Sequence, residues 1–273
     1  MENTSSEKIL KSWSDVHDKF SAMGMDTAVE ERNAAIAFCR SVYDTMKISA
    51  TESDYADFLG IYVQLLMYDD NLVQEEISRQ EELLKIRQKQ ASENREKYFP
   101  RYTNGLFYLG YAYMRARDSW KAMSYMEQAV ENERVISREM PDAKTNGLAL
   151  ATYMLARVYD TFARKILAED AYKDAIAEYK NLADKTTDNK KIYETMADIM
   201  VEFAEFYWFV PFINKALDRY WQAIELYRNL LPDESIALKL KALYELLINR
   251  YSAMGNEEQC ERLRKMLLTF TLN

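Results

Sequence analysis

Few residues in this 273-residue chain have types and spacings that suit catalysis. The chain contains one histidine, His17, so Ser-His-Asp, Cys-His or multi-histidine metal chemistry would have to use that residue. His17 follows Trp13 by four residues, a spacing typical of two side chains that share one helix face. We therefore predict that His17 is a packed or half-exposed helical residue and that no metal site is present.

The other reactive side chains also fail to form catalytic or cofactor-binding patterns. Carboxylates are adjacent at 69–70, 75–76 and 81–82, but adjacent residues point to different sides of a helix and make poor acid–base pairs. Cys39 and Cys260 fit no metal or disulfide spacing, and we expect both to be small buried hydrophobic residues. Glycine-rich phosphate loops are absent from the sequence. We predict a protein that is not an enzyme and needs no cofactor, with an enzyme as the remote alternative.

The composition indicates that helices hold these residues. The chain has only 6 Gly and 4 Pro, whereas β-sandwiches, barrels and open α/β folds need many such turn residues. Its content of 48% hydrophobic and 13% aromatic residues is sufficient for a packed core. The sequence therefore predicts an all-α globular protein.

The charge of the chain argues against nucleic acid as a partner. Lys and Arg total 36 against 44 Asp and Glu, which gives a net charge of −8, and nucleic-acid binders usually carry a basic face. No apolar run approaches the roughly 20 residues that span a bilayer. The first eight residues are polar and lack the apolar core of a signal peptide. We expect a cytoplasmic location without membrane insertion, and a signal peptide removed upstream remains an alternative.

Two short patterns recur along the chain. A nine-residue pattern with alanine at its fourth position begins at Met126, Tyr172 and Tyr220. Upstream of each copy, an apolar residue is followed by a small residue and, three residues later, by a tyrosine. The apolar positions lie on one helical face, so we predict pairs of antiparallel helices that approach closely at the small residues. The small residues are Gly110, Ala156 and Ala204 in the first helices and Ala129, Ala175 and Ala223 in the second, and the tyrosines are Tyr113, Tyr159 and Tyr207.

The repeats predict six helix hairpins in a single domain that covers residues 1–273. The predicted units are 5–48, 52–98, 102–138, 144–184, 189–230 and 233–271. Helix starts are predicted after Thr27, Thr51 and Asn256, where capping boxes occur. The second unit keeps the small residue as Gly60 but has Val63 in place of the tyrosine. Segment 87–97 has few apolar residues and is expected to be a solvated helix end or loop.

Prolines give two further expectations. Pro211 is expected at a hairpin turn and Pro232 between units, where a missing N–H does no harm.

The small and aromatic positions of both helices resemble those of the tetratricopeptide repeat (TPR) family. The units are longer than in that family, because the anchors Leu109, Leu155, Phe203 and Leu247 are separated by 46, 48 and 44 residues instead of about 34. The family's early Trp and its unit-ending Pro are also replaced. The resemblance implies a right-handed superhelical solenoid whose first helices line a concave groove.

The resemblance also implies a function, namely binding of a protein segment or peptide in that groove without catalysis. The alternative is a ligand- or peptide-sensing regulatory module whose superhelix tightens on binding. Transfer by position within the first helices gives these groove residues: Asn104, Phe107, Tyr111, Arg115, Tyr153, Arg157 and Trp208. We expect Arg115 and Arg157 to bind the partner and to have little structural importance.

The last predicted helix suggests a further contact surface. Met266, Leu268 and Leu272 lie away from its predicted hairpin face. We expect them either to form an apolar patch through which the C-terminal hairpin dimerises or binds a partner, or to be covered by the folded-back tail.

Overall fold

The computed structural model describes residues 2–140, 146–208 and 212–271, and its regular elements are all helical, as predicted. A short 3₁₀-helix, Asp70–Leu72, precedes α4. The α-helices are α1 Glu2–Ser21, α2 Val29–Ser49, α3 Glu52–Leu66, α4 Val73–Glu93, α5 Arg95–Arg115, α6 Ser119–Glu139, α7 Gly147–Thr161, α8 Lys165–Lys185, α9 Lys190–Trp208, α10 Ile213–Asn229, α11 Glu234–Ala253 and α12 Glu257–Thr271.

The chain forms two compact units. Unit 1 is Met1–Ala163 and contains α1 to α7, and unit 2 is Arg164–Asn273 and contains α8 to α12. Within unit 1 each helix packs against the next, and α1 also contacts α3 while α5 contacts α7. Within unit 2 each helix again packs against its successor. The single continuous domain remains a prediction.

The predicted small residues lie at helix contacts. A Cβ atom added to Gly110 in α5 would lie 3.1 Å from the backbone nitrogen of Met126 and 3.3 Å from the carbonyl oxygen of Ala122. The backbones of α5 and α6 are therefore in direct contact at this point. Ala129, Ala175 and Ala223 are completely buried, as the repeat pattern predicted.

The repeat tyrosines are also buried, and each hydroxyl donates a hydrogen bond to a carboxylate that the sequence did not identify. In every case the tyrosine is in the first helix of a repeat and the carboxylate is in the helix before it. These bonds connect each first helix to the helix before it, and a hydrogen bond to a charged acceptor depends on the positions of both groups. The pairs are Tyr113 to Glu81 (2.5 Å) and Tyr159 to Glu127 (2.8 Å) in unit 1, and Tyr207 to Glu169 (2.9 Å) in unit 2.

The expectation of a solvated helix end in segment 87–97 is largely confirmed, since α4 ends at Glu93 and residues 92–97 are exposed. Helix α4 continues to Glu93 with Gln90 buried, and only Asn94 separates it from α5. The Asn94 side chain accepts a hydrogen bond from the backbone N–H of Lys97 at 3.1 Å, which caps α5 and lets a new helix begin without a loop. Helix α5 therefore begins seven residues before the predicted third unit, and Pro100 lies inside it.

Two of the three predicted caps are confirmed. The Thr51 hydroxyl accepts from the N–H of Asp54, and the Asn256 side chain accepts from the N–H of Gln259, both at 3.2 Å. The third is wrong, since α2 begins after Ala28 and the Thr27 hydroxyl instead accepts from the N–H of Gly24 in the preceding turn. Pro232 lies between α10 and α11, as predicted, whereas Pro211 lies outside the described residues.

The burial of the repeat alanines gives a first test. We expect Ala175→Leu to lower the free energy of unfolding by roughly 1–3 kcal/mol, because the larger side chain overpacks a helix contact. Ala177→Leu is the matched control, since Ala177 is exposed on the same helix. Urea denaturation of both variants measures the difference. An unchanged midpoint for Ala175→Leu would contradict the assigned contact.

The bonds of Glu169 give a pH test. The Lys173 ammonium, together with the Tyr207 hydroxyl and the Lys215 ammonium, lowers the pKa of Glu169 to about 2. Since an unfolded Glu has a pKa near 4.3, the stabilisation is complete above that pH and is lost as the pH falls towards 2. We expect the Tm of the wild type to fall more steeply between pH 6 and pH 3 than that of Glu169→Gln.

The control for this measurement is Asp174→Asn, which changes an exposed carboxylate on the same helix. It should follow the wild-type pH profile. Identical profiles for the wild type and Glu169→Gln would show that these bonds do not stabilise the fold.

Candidate functional site

A cleft of about 600 Å³ lies in unit 1 between the predicted first helices of the first three hairpins, α1, α3 and α5. Helix α4 contributes part of its lining. This volume is within the range of clefts that bind small molecules and short peptide segments. The lining residues are His17, Ser21, Asp57, Gly60, Ile61, Val63, Gln64, Met67, Tyr68, Gln80, Leu83, Arg87 and Tyr108.

The apolar part of the lining comes from the core side of α3 and α4. Ile61 and Val63 are 7% exposed and Leu83 is 1% exposed, so they present only a small apolar surface. Val63 stands where other repeats have the tyrosine that reaches the preceding helix.

Two glutamine side chains hold the walls of the cleft together. The amide of Gln64 on α3 donates to the carbonyl oxygens of Ser21 (3.3 Å) and Met23 (2.6 Å), which ties α3 to the end of α1. The amide of Gln80 on α4 donates to the carbonyl oxygen of Gly105 at 3.1 Å, which ties α4 to α5. These bonds connect the helices that form the cleft.

His17 is at the edge of the cleft and is half-exposed, as predicted. Its ring packs edge-on against Trp13 at a centroid distance of 5.6 Å, and its Nδ1 atom lies 2.9 Å from a carboxylate oxygen of Asp18. The nearby Ser21 hydroxyl donates to the carbonyl oxygen of Asp18, so it is not aligned with the imidazole as a nucleophile. Within the described residues, no group of three or more His, Cys, Asp or Glu side chains is arranged to hold a metal ion.

Arg87 on α4 brings a cation into the cleft. Its guanidinium lies against Gly60 of α3, with Nη2 3.5 Å from the position that a Cβ atom of Gly60 would occupy. Its Nη1 atom donates to the carbonyl oxygen of Arg101 at 3.3 Å. Burial lowers the pKa of Arg87, and the positive charge of Arg101 acts in the same direction.

The structure places four predicted groove residues along α5 outside this lining. Asn104 is exposed, Phe107 and Tyr111 are half-buried, and α5 reaches the cleft through Tyr108 instead. The rings of Phe107 and Tyr108 are perpendicular, with centroids 5.3 Å apart. The positional transfer therefore selected α5 residues that do not line this cleft, and it did not select Tyr108, which does.

The α5 and α7 residues form two similar tyrosine–arginine pairs. The guanidinium carbon of Arg115 lies 5.8 Å from the centroid of the Tyr111 ring, and that of Arg157 lies 5.9 Å from the Tyr153 ring. In each pair the two residues are four positions apart on one helix, and α5 packs against α7. The structure thus repeats the same aromatic and cationic combination on two contacting helices of unit 1.

Arg115 has a structural role that the sequence analysis did not predict. Its side chain is only 10% exposed and forms ion pairs with Glu76 (2.5 Å) and Asp70 (2.8 Å). The Glu76 carboxylate is 2% exposed, so removal of Arg115 would leave a buried charge without its counter-ion. The expectation that Arg115 has little structural importance is wrong, whereas its role in binding remains a prediction.

Trp208, the last predicted groove residue, is in unit 2. It is half-buried, and the guanidinium carbon of Arg250 lies 4.0 Å from its ring centroid. Arg250 also donates to both carboxylate oxygens of Glu205, at 2.8 and 2.6 Å. Trp208 therefore takes part in packing between α9 and α11 within unit 2.

None of the described helices combines the length and the apolar character needed to cross a bilayer. No protein-family model matches the chain, and no curated protein matches it by sequence.

Solved structures do resemble it. BtubC (BKLC) from P. vanneervenii shares 18% identity over 90% of this chain and 92% of its own, with a TM-score of 0.64. A Podospora anserina protein described as a kinesin light chain with nearly identical TPR-like repeats shares 16% over 81% of this chain and 97% of its own, with a TM-score of 0.62. A Rap protein complexed with Competence and Sporulation Factor shares 13% over 89% of this chain and 70% of its own, with a TM-score of 0.50. At these identities the likeness shows the fold alone, and the chain has a TPR-like helical-repeat fold.

Proposed function

We propose that this protein is a non-enzymatic interaction scaffold that binds a segment of another protein, or a peptide, against the first helices of unit 1. The observation that carries the proposal is the preformed cleft between α1, α3 and α5, which combines apolar and polar lining. A preformed site binds a flexible segment without the additional cost of ordering the receptor. The proposal includes a cytoplasmic location, which the two unpaired buried cysteines support.

The predicted groove residues extend this surface along α5 and α7. Asn104, Phe107 and Tyr111 would contact the segment beyond the cleft, and Tyr153 with Arg157 would continue the contact on α7. Aromatic rings and arginines are the residue types that contribute most to protein interfaces. The ion pairs of Arg115 hold the end of α5 that carries Tyr111. Trp208, the remaining predicted groove residue, is an aromatic residue of unit 2.

A peptide-sensing regulator is the second candidate. It is favoured by the likeness to the Rap protein, which was solved in complex with Competence and Sporulation Factor. The two functions differ in what binding does to the protein. A sensor changes its dimensions on binding, whereas a scaffold keeps them, and small-angle scattering with and without the partner distinguishes the two.

The binding proposal is tested on α7 because Arg115 also forms ion pairs within the fold, so its removal would affect stability as well as binding. We expect Tyr153→Ala combined with Arg157→Ala to weaken binding of the partner at least tenfold, about 1.4 kcal/mol. The partner is first identified by affinity purification of the full chain and mass spectrometry, and its affinity is then measured by titration calorimetry. Arg134→Ala combined with Arg138→Ala is the control, since both arginines are exposed on α6. Unchanged affinity in a folded α7 variant would mean that binding occurs elsewhere.

We also propose that the C-terminal hairpin forms a homodimer. Leu268 on α12 is 61% exposed and Met266 is partly buried, while Leu272 lies outside the described residues. We expect sedimentation velocity at tens of micromolar to detect a dimer that Met266→Glu with Leu268→Glu dissociates. Ala242→Glu combined with Asn249→Glu is the control, because it adds the same two negative charges at exposed sites of α11. A strictly monomeric wild type would exclude this interface.

A further inference from the structure

Arg87 is a partly buried arginine without a carboxylate partner among the described residues, in contrast to Arg115 and Arg250. Arg115 pairs with Glu76 and Asp70, and Arg250 pairs with Glu205. Among the residues that the structure describes, Arg87 forms no ion pair, and its one hydrogen bond is to the carbonyl oxygen of Arg101. A guanidinium has five N–H donors, so most of the hydrogen-bonding capacity of Arg87 is unused.

The charges around Arg87 leave a local positive excess. Asp57 on α3 is the carboxylate that lines the cleft, and it lies 3.9 Å from Arg101 in a long ion pair. Two guanidinium groups, those of Arg87 and Arg101, therefore face one carboxylate. A half-buried cation without its own counter-ion is unfavourable, and an anion that enters the cleft would stabilise it.

The surroundings of Arg87 also indicate which type of side chain lies next to the anion. Ile61, Val63 and Leu83 form an apolar surface in the same cleft, and the Tyr108 ring lies at its α5 side. A planar guanidinium is suited to a carboxylate, which it binds through two parallel hydrogen bonds. A phosphate would favour a site with several cations and little apolar surface.

We infer that Arg87 binds the carboxylate of a Glu or Asp side chain, flanked by an apolar residue, in the segment that occupies the cleft. This inference rests on the proposed function and specifies its partner. A side chain carries its carboxylate away from the peptide backbone, so it reaches the half-buried guanidinium while the backbone remains at the rim. A chain-terminal carboxylate would require the segment to end inside the cleft.

The test uses a library of N-acetylated, C-terminally amidated heptapeptides with a fixed central residue and degenerate flanks. The central residue is Glu, Gln or phosphoserine, and a fourth pool has Gln at the centre and a free C-terminus. Affinity selection on the full chain identifies binders, and fluorescence anisotropy compares the best Glu peptide with its Gln counterpart. We expect the wild type to bind the Glu peptide at least tenfold more tightly.

The variants assign this preference to Arg87. In Arg87→Gln the Glu and Gln peptides should bind within twofold of each other. Lys85→Gln removes the same charge from an exposed position on α4 and should retain the tenfold preference. If Arg87→Gln fails to fold, Arg87→Lys replaces it, and the preference should fall at least threefold because the two-pronged hydrogen bonding is lost.

Different binding results would contradict the role of Arg87 and the proposed scaffold function. Equal binding of Glu and Gln peptides by the wild type, or an unchanged preference in a folded Arg87 variant, would overturn the role of Arg87 and leave the scaffold intact. Stronger selection of phosphoserine or of a free C-terminus would overturn the assignment to an acidic side chain. Binding of none of the peptides would contradict the proposed occupant of the cleft and with it both proposals.

Discussion

Each repeat tyrosine is buried, and a carboxylate on the preceding helix accepts the hydrogen bond of its hydroxyl. The three bonds from Tyr113, Tyr159 and Tyr207 have the same direction along the chain. Apolar burial alone would tolerate sliding of one helix along another, because it is not directional. A hydrogen bond to a charged acceptor depends on position, so these pairs fix how each first helix sits on the helix before it. The small residues set the distance between helices, and the tyrosines set the register.

The carboxylates of helix α4 accept hydrogen bonds from helices on both of its sides. Glu75 accepts hydrogen bonds from Arg40 on α2 and Tyr62 on α3, and Glu82 accepts from Tyr55 on α3. Their sequence neighbours, Glu76 and Glu81, face α5. Adjacent residues point to different sides of a helix. The two carboxylates of each acidic pair therefore bind helices on opposite sides of α4. The carboxylates that resemble catalytic pairs in the sequence are thus used to hold α4 on both sides, and α4 is the rigid element that presents Arg87.

The sequence predicted the small residues that repeat at helix contacts, but it missed the polar partners of both the repeat tyrosines and Arg115. The buried alanines and the first-helix small residues recur at matching positions, so comparison of the chain with itself was enough to find them. The partner of Arg115 is 39 residues away and has no counterpart in other repeats, so it depends on a register that only the folded structure supplies. The cleft was also missed, although Val63, one of its lining residues, departs from the repeat pattern. Val63 in place of a tyrosine was visible in the sequence, but a missing side chain indicates space only when its neighbours are known.

The proposed binding of an acidic segment must also be compatible with a chain whose net charge is −8. Charges farther from the cleft than about 8 Å are largely screened at physiological salt, so the overall charge has little effect once the segment is in place. It does act during approach, since a negatively charged protein does not attract an acidic partner from a distance. Recognition would therefore depend on short-range contact with Arg87 and the apolar lining rather than on electrostatic steering. Such a complex gains its selectivity from slow dissociation of the correct segment, because few other acidic segments would place an apolar side chain and a carboxylate in the cleft together.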